Sequence, residues 1–303
     1  MKYYLLVRYM CAVVLGFITV AVVAQEVTLP YKGLTLNANL ELAANKKPSD
    51  GVILITHGGL VHNGMEIIAS LQNQLKERGY NTLAINLSLG LNNRHGQYDC
   101  QITHRHRNSD AADEISVWVA WLKKQGVKQL ILLGHSRGGA QTALYLTEYN
   151  NSIVKSVVLI SPAIRENTDA ANYQVRYGKS LAPILQKAQQ LVKAGKGDTL
   201  LEHVGILYCA DSSATADSFV SYNGQDPRLD TLYLIPKLRM PTLVVVAGSD
   251  EIVIGLDKKL TALADGKRVT MKIIDGADHV YRDLYTDDLV EAIDAFLKLN
   301  NNE

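Results

Sequence analysis

Leu130-Ile131-Leu132-Leu133 runs directly into Gly134-His135-Ser136-Arg137-Gly138-Gly139, and the segment after it reads as a helix. A strand, a Gly-x-Ser-x-Gly turn and a helix, in that order, form the pattern of a nucleophile elbow. The turn is so tight that Gly134 and Gly138 must lack side chains, and Ser136 is pushed out at the helix N-terminus. A structural glycine-rich turn could show the same five residues; the flanking strand and helix favour the nucleophile. A serine hydroxyl is a poor nucleophile unless a base takes its proton. A second group of chemistry-bearing side chains lies upstream, where Arg94, His95, His104, Arg105, His106 and Arg107 crowd one loop around Cys100. The loop reads either as a solvated segment paired with nearby acids or as a cationic rim that selects an anionic substrate through Arg94, Arg105 and Arg107. His104 and His106 are two potential metal ligands, which is too few for a site, so no metal is expected.

These residues need a frame, and its rhythm is plain. Residues 25–42 alternate polar and apolar around Tyr31-Lys32-Gly33, as an antiparallel hairpin does. Residues 52–56 form a short apolar run suited to a strand buried on both faces. Met65, Ile68, Leu71 and Leu75 give 64–78 helical spacing, and Gly79 ends it. Strands are expected at 81–87, 130–133, 153–160, 242–247 and 269–274. Helices are expected at 109–125, 137–149 and 287–299. Asp110, Asp113 and Glu114 open the first of these helices, where carboxylates suit the dipole, and Trp118 and Trp121 belong to its core face. Such alternation predicts a mostly parallel, twisted sheet with helices on both faces. Residues 161–240 break the pattern. They hold a helix at 181–193, a Gly195-Lys196-Gly197 break and a segment rich in Ala, Ser and Asp. About eighty residues is too long for a loop, so this stretch reads as an insertion or lid after the strand ending near Ser161.

On these motifs the chain resembles the α/β-hydrolase superfamily over nearly all of residues 25–303. The resemblance implies a triad in the chain order serine, acid, histidine. Val244-Val245-Val246-Ala247-Gly248-Ser249-Asp250 matches the acid loop, and Ile273-Ile274-Asp275-Gly276-Ala277-Asp278-His279 matches the loop that delivers the histidine. His279 would then be the base for Ser136, and Asp250 would orient it; Asp275 and Asp278 compete for the acid role. Thr56-His57-Gly58-Gly59-Leu60 is similar to the family's oxyanion loop, with the backbone N–H groups of Gly59 and Arg137 as donors. His57 and His135 read as loop supports. Asn86-Leu87-Ser88-Leu89-Gly90 departs from the Asp and Arg-Gly turn that many relatives carry there, so no subfamily is assigned. The implied activity is cofactor-free hydrolysis of an ester or related acyl bond in a small molecule. The alternatives are a serine peptidase acting on short peptides and a non-catalytic exported binding protein on a hydrolase frame. A dead relative would have no need of all three triad residues, which argues against the last.

Composition narrows the rest. The chain has 303 residues, 47% hydrophobic and 20% charged, with 31 basic against 30 acidic side chains, which excludes a disordered tail and gives no sign of nucleic-acid binding. Lys2 and Arg8 precede an uncharged run to Val23, and small residues lead to Ala24. Residues 1–24 therefore read as a signal peptide cleaved after Ala24, or else as an uncleaved anchor. Cleavage would leave a periplasmic or secreted enzyme free of the membrane. Cys100 and Cys209 then remain as either a disulfide or two separate thiols, and an oxidising compartment favours the bridge.

Overall fold

A computed structural model describes residues 25–149, 151–165 and 169–300, so the signal segment expected at 1–24 lies outside the described residues. The described chain opens with a hairpin of β1 (Gln25–Tyr31) and β2 (Leu34–Glu41). Its two turn residues, Lys32 and Gly33, have φ of 47° and 80°. A two-residue turn with both centres left-handed follows the twist of its strands.

Strands and helices then alternate: β3 (Val52–Thr56), α1 (Glu66–Glu77), β4 (Thr82–Asn86), α2 (Asp110–Lys124), β5 (Leu130–His135), α3 (Arg137–Glu148) and β6 (Val154–Ile160). The insert contains α4 (Ala170–Tyr177), α5 (Leu181–Lys193), β7 (Leu200–Ile206), β8 (Cys209–Thr215), α6 (Ala216–Asn223) and the short α7 (Thr231–Leu234). The chain ends with β9 (Thr242–Ala247), α8 (Leu256–Leu260), β10 (Val269–Ile274) and α9 (Leu284–Asn300).

Among the described residues, eight strands form one sheet in the order β1-β2-β4-β3-β5-β6-β9-β10. β2 runs antiparallel to its neighbours, and every pairing from β4 to β10 is parallel. Every residue of β3, β4 and β9 is buried, which explains the apolar runs that fill them, with polar residues only at strand ends. Helices α1 and α9 cover one face through Ile68, Leu71, Leu289 and Ile293. Helices α2 and α3 cover the other through Ile115, Trp118, Leu144 and Tyr145.

Register is what assembles a site. Thr56 pairs with Gly134, His135 with Ile160, and Ala247 with Ile274, so these strands finish at one level. The loops that begin at His57, Ser136, Gly248 and Asp275 therefore emerge along one edge of the sheet.

Three details differ from the sequence expectation. β5 continues through Gly134 and His135, because both still pair with β6. α9 starts at Leu284, ahead of residue 287, where turn bonds from Tyr285 and Thr286 to Arg282 and Asp283 feed the helix. The Ala-, Ser- and Asp-rich part of the insert is an antiparallel hairpin, β7–β8. Its composition has little strand preference of its own. It is held instead by a bridge between His104 and Ala214 and by a Cys100–Cys209 disulfide with Cα atoms 5.4 Å apart. Tyr173, Leu185 and Phe219 of the insert bury into the same core as α2 and α3.

Candidate active site

Ser136 sits between β5 and α3 with φ 55° and ψ −125°, outside the conformations a non-glycine residue prefers. Crowding enforces this turn. A Cβ on Gly138 would stand 2.2 Å from the His57 carbonyl oxygen, and one on Gly134 would stand 2.5 Å from that of Gly138. The strained turn lifts Ser136 Oγ to within 2.8 Å of His279 Nε2. His279 Nδ1 lies 2.8 Å from Asp250 Oδ2. The consistent proton arrangement has Nδ1–H donating to Asp250 while Nε2 accepts from the serine hydroxyl.

Asp250 is fixed before it orients anything. Its Oδ1 accepts the backbone N–H groups of Ile252 and Val253, both at 2.8 Å. Burial disfavours its charge, yet the His279 partnership and these donors outweigh burial and hold its pKa below the ordinary carboxylate value. Asp275 is exposed, and Asp278 is committed to Arg282 at 2.7 Å. Neither competing acid meets His279 in the way Asp250 does. His135 Nε2–H donates to the His279 carbonyl oxygen at 2.8 Å, so the residue before the serine positions the backbone of His279.

The loop after β3 supplies the other wall. A Cβ on Gly58 would lie 2.8 Å from the Ser136 Cβ, so this loop touches the elbow directly. Among the described residues, no acceptor takes the backbone N–H of Gly59 or Arg137. Ser136, His279 and Gly59 line a cleft of about 650 Å³ with Leu60, Met65 and Tyr208.

The family model for serine aminopeptidase S33 (Hydrolase_4) matches residues 47–218, more than half of the chain. The chain belongs to this family. It is a hydrolase with the α/β-hydrolase fold, and solved structures agree with that fold at low identity. Est1E from Butyrivibrio proteoclasticus superposes with a TM-score of 0.66 at 19% identity, covering 92% of this chain and 99% of its own. A monoacylglycerol lipase of Paleococcus ferrophilus gives 0.61 at 18%, covering 86% and 98%. A curated relative, "Putative esterase/lipase 3" of Mycoplasma pneumoniae, is 30% identical over 122 residues; the match spans 40% of each chain.

In this S33-family hydrolase the expected cationic rim is not assembled. Arg94 is 5% exposed and donates to the carbonyl oxygens of Leu87 and Val61 and to Asn86 Oδ1, at 2.8, 3.0 and 2.8 Å. It is a scaffold residue, because its loop folds inward and needs a cation to satisfy converging carbonyls. Arg105 and Arg107 are exposed, Arg107 lies 3.5 Å from Asp110, and neither lines the cleft. His57 Nε2 accepts from the Leu87 N–H at 3.0 Å, leaving Nδ1–H to donate to the Gly58 carbonyl at 3.1 Å. Burial, reinforced by the Arg94 charge, lowers its pKa to about 3. His57 is thus a neutral brace for the loop after β3.

Three supports escaped the sequence reading. Glu114 accepts from Ser88 Oγ and the Ser88 N–H at 2.5 and 2.8 Å, inside the segment that departs from the family pattern. Ser161 Oγ, 3.0 Å from Tyr281 Oη, joins the end of β6 to the histidine loop. Tyr208 enters the cleft from the insert; its one signal in the sequence is its position next to Cys209.

Proposed function

We propose that this protein is a carboxylic ester hydrolase working through a seryl acyl-enzyme. The observation that carries the reading is the continuous relay from Ser136 Oγ through His279 to Asp250, at 2.8 Å in both steps, on the wall of a largely apolar cleft. Ser136 Oγ attacks the ester carbonyl carbon as His279 Nε2 takes its proton. The carbonyl oxygen becomes an oxyanion that accepts from the Gly59 and Arg137 N–H groups. Asp250 stabilises the imidazolium, which then protonates the departing alcohol. Water, activated by the same His279, releases the acid and restores Ser136. The esterase and lipase descriptions of the relatives agree with this chemistry.

A peptidase on short peptides is the second reading, favoured by the serine aminopeptidase description of the family. We place the enzyme outside the cytoplasm, since an oxidised Cys100–Cys209 pair suits export through residues 1–24. The test is a fluorophosphonate probe followed by substrate comparison. Ser136 should label in folded protein, and short acyl esters should turn over faster than aminoacyl amides. No labelling would remove the nucleophile; faster amide turnover would make the enzyme a peptidase.

A further inference from the structure

Tyr208 occupies the two-residue turn between β7 and β8, beside the disulfide residue Cys209. Its ring rests on the oxyanion loop: a Cβ on Gly59 would lie 2.9 Å from Tyr208 Cε2. Gly59 has φ 43°, so the loop presents a bare backbone to the ring. Tyr208 is 48% exposed and lines the cleft that holds Ser136, so the ring is open to whatever enters.

The position of the ring is fixed from several sides. The Tyr177 hydroxyl donates to the Leu207 carbonyl oxygen, and Arg176 lies with its guanidinium 5.4 Å from the Tyr208 ring centre. Cys209 is bonded to Cys100 in the loop between β4 and α2, and Ser212 Oγ donates to the Cys100 carbonyl at 2.7 Å. The disulfide therefore tethers the turn, through Cys209, to the loop between β4 and α2.

We propose that Tyr208 sets acyl preference at this site, favouring an ester whose carbonyl carries a flat aromatic group, and that the Cys100–Cys209 bond holds it in that role. The inference rests on the reading of Ser136 as the nucleophile. The leaving alcohol oxygen must face His279, which protonates it, while the carbonyl oxygen faces the Gly59 N–H. A ring resting on Gly59 consequently flanks the carbonyl and the acyl group attached to it. Aromatic rings favour offset or edge contact with one another, whereas a small acyl group leaves the ring untouched.

Methyl benzoate and methyl acetate test this, since neither has an aryl leaving group. Wild-type enzyme should prefer the benzoate. Tyr208→Ala should lower kcat/KM for methyl benzoate about fivefold to tenfold, mainly through KM, and leave methyl acetate within about twofold. Tyr208→Phe should behave as wild type. Cys100→Ser should lose selectivity in the same direction, and should lose nothing more in the Tyr208→Ala background. Equal losses on both esters, no benzoate preference in wild type, or unchanged selectivity in Cys100→Ser would each overturn the proposal. In all three results, fluorophosphonate labelling of Ser136 would leave the ester-hydrolase reading standing. Absence of labelling and of all ester turnover would instead remove that reading, and this one with it.

Discussion

Ser136 holds a backbone conformation that glycine accepts freely and serine adopts only under strain, with φ at 55°. Strain of this kind stays in place only where the surroundings over-determine it, as the packed elbow does here. Ser136→Gly should therefore abolish turnover while raising stability by about 1 kcal/mol, measured by urea denaturation. An unchanged or lower stability would mean that the hydrogen bond to His279 outweighs the strain. Asp250→Asn should leave the fold intact and reduce kcat by ~10⁴, because the amide no longer secures the Nδ1–H tautomer. Near-normal turnover, with collapse in Asp278→Asn instead, would reassign the acid. At this scale the meeting of Ser136, His279 and Asp250 was legible, since each lies in a loop that follows a parallel strand and all three loops leave one edge of the sheet. Arg94 was not. Its charge looks the same in sequence whether it faces water or the Leu87, Val61 and Asn86 oxygens, and only the inward fold of its loop decides.

Between elements, the Ser88–Glu114 contact ties the loop after β4 to α2. Burial pushes the Glu114 carboxyl up to about 7 from 4.5, although Ser88 donates to it twice. The folded chain keeps this proton where the unfolded chain has lost it. Its stabilising contribution is thus complete below pH 4.5 and disappears as pH rises through about 7. Glu114→Gln should be more stable than wild type at pH 8, by up to about 3 kcal/mol, and the advantage should vanish at pH 5. A difference independent of pH would show the carboxyl to be ionised throughout. The strands and helices that build the sheet were readable because buried parallel strands and amphipathic helices leave separate periodicities. The β7–β8 hairpin left none. Its pairing is specified by the His104 bridge and the Cys100 bond, contacts more than a hundred residues away in the chain.

Across the whole molecule, buried histidines set a limit on acid tolerance. His57, His104, His106 and His135 are all buried, and desolvation is the largest cause of their lowered pKa values, about 3 for three of them and about 4 for His104. The unfolded chain takes up these protons near 6.5, so the stabilisation is present above that pH and drains away as pH falls toward 4. Each site contributes a slope of ~1.4 kcal/mol per pH unit. Glu114 offsets one of the four, so unfolding near pH 5.5 should take up roughly three protons. The pH dependence of the urea-unfolding free energy gives that number directly, and an uptake below about one proton would mean that the fold already accommodates charged imidazoles. None of this was visible in the histidine count, because spacing does not reveal which rings the core encloses.

The Cys100–Cys209 bond, with a sequence separation of 109, also makes a closed covalent ring. The ring contains Ser136, whereas Asp250 and His279 lie outside it. One peptide cut anywhere inside the ring, for example after the exposed Lys196 in the turn between α5 and β7, cannot divide the molecule. The nicked protein should run as a single species without reductant and as two fragments with it, Ser136 on one piece and both Asp250 and His279 on the other. A protease that reaches that turn would then change the number of chain ends without separating Ser136 from His279.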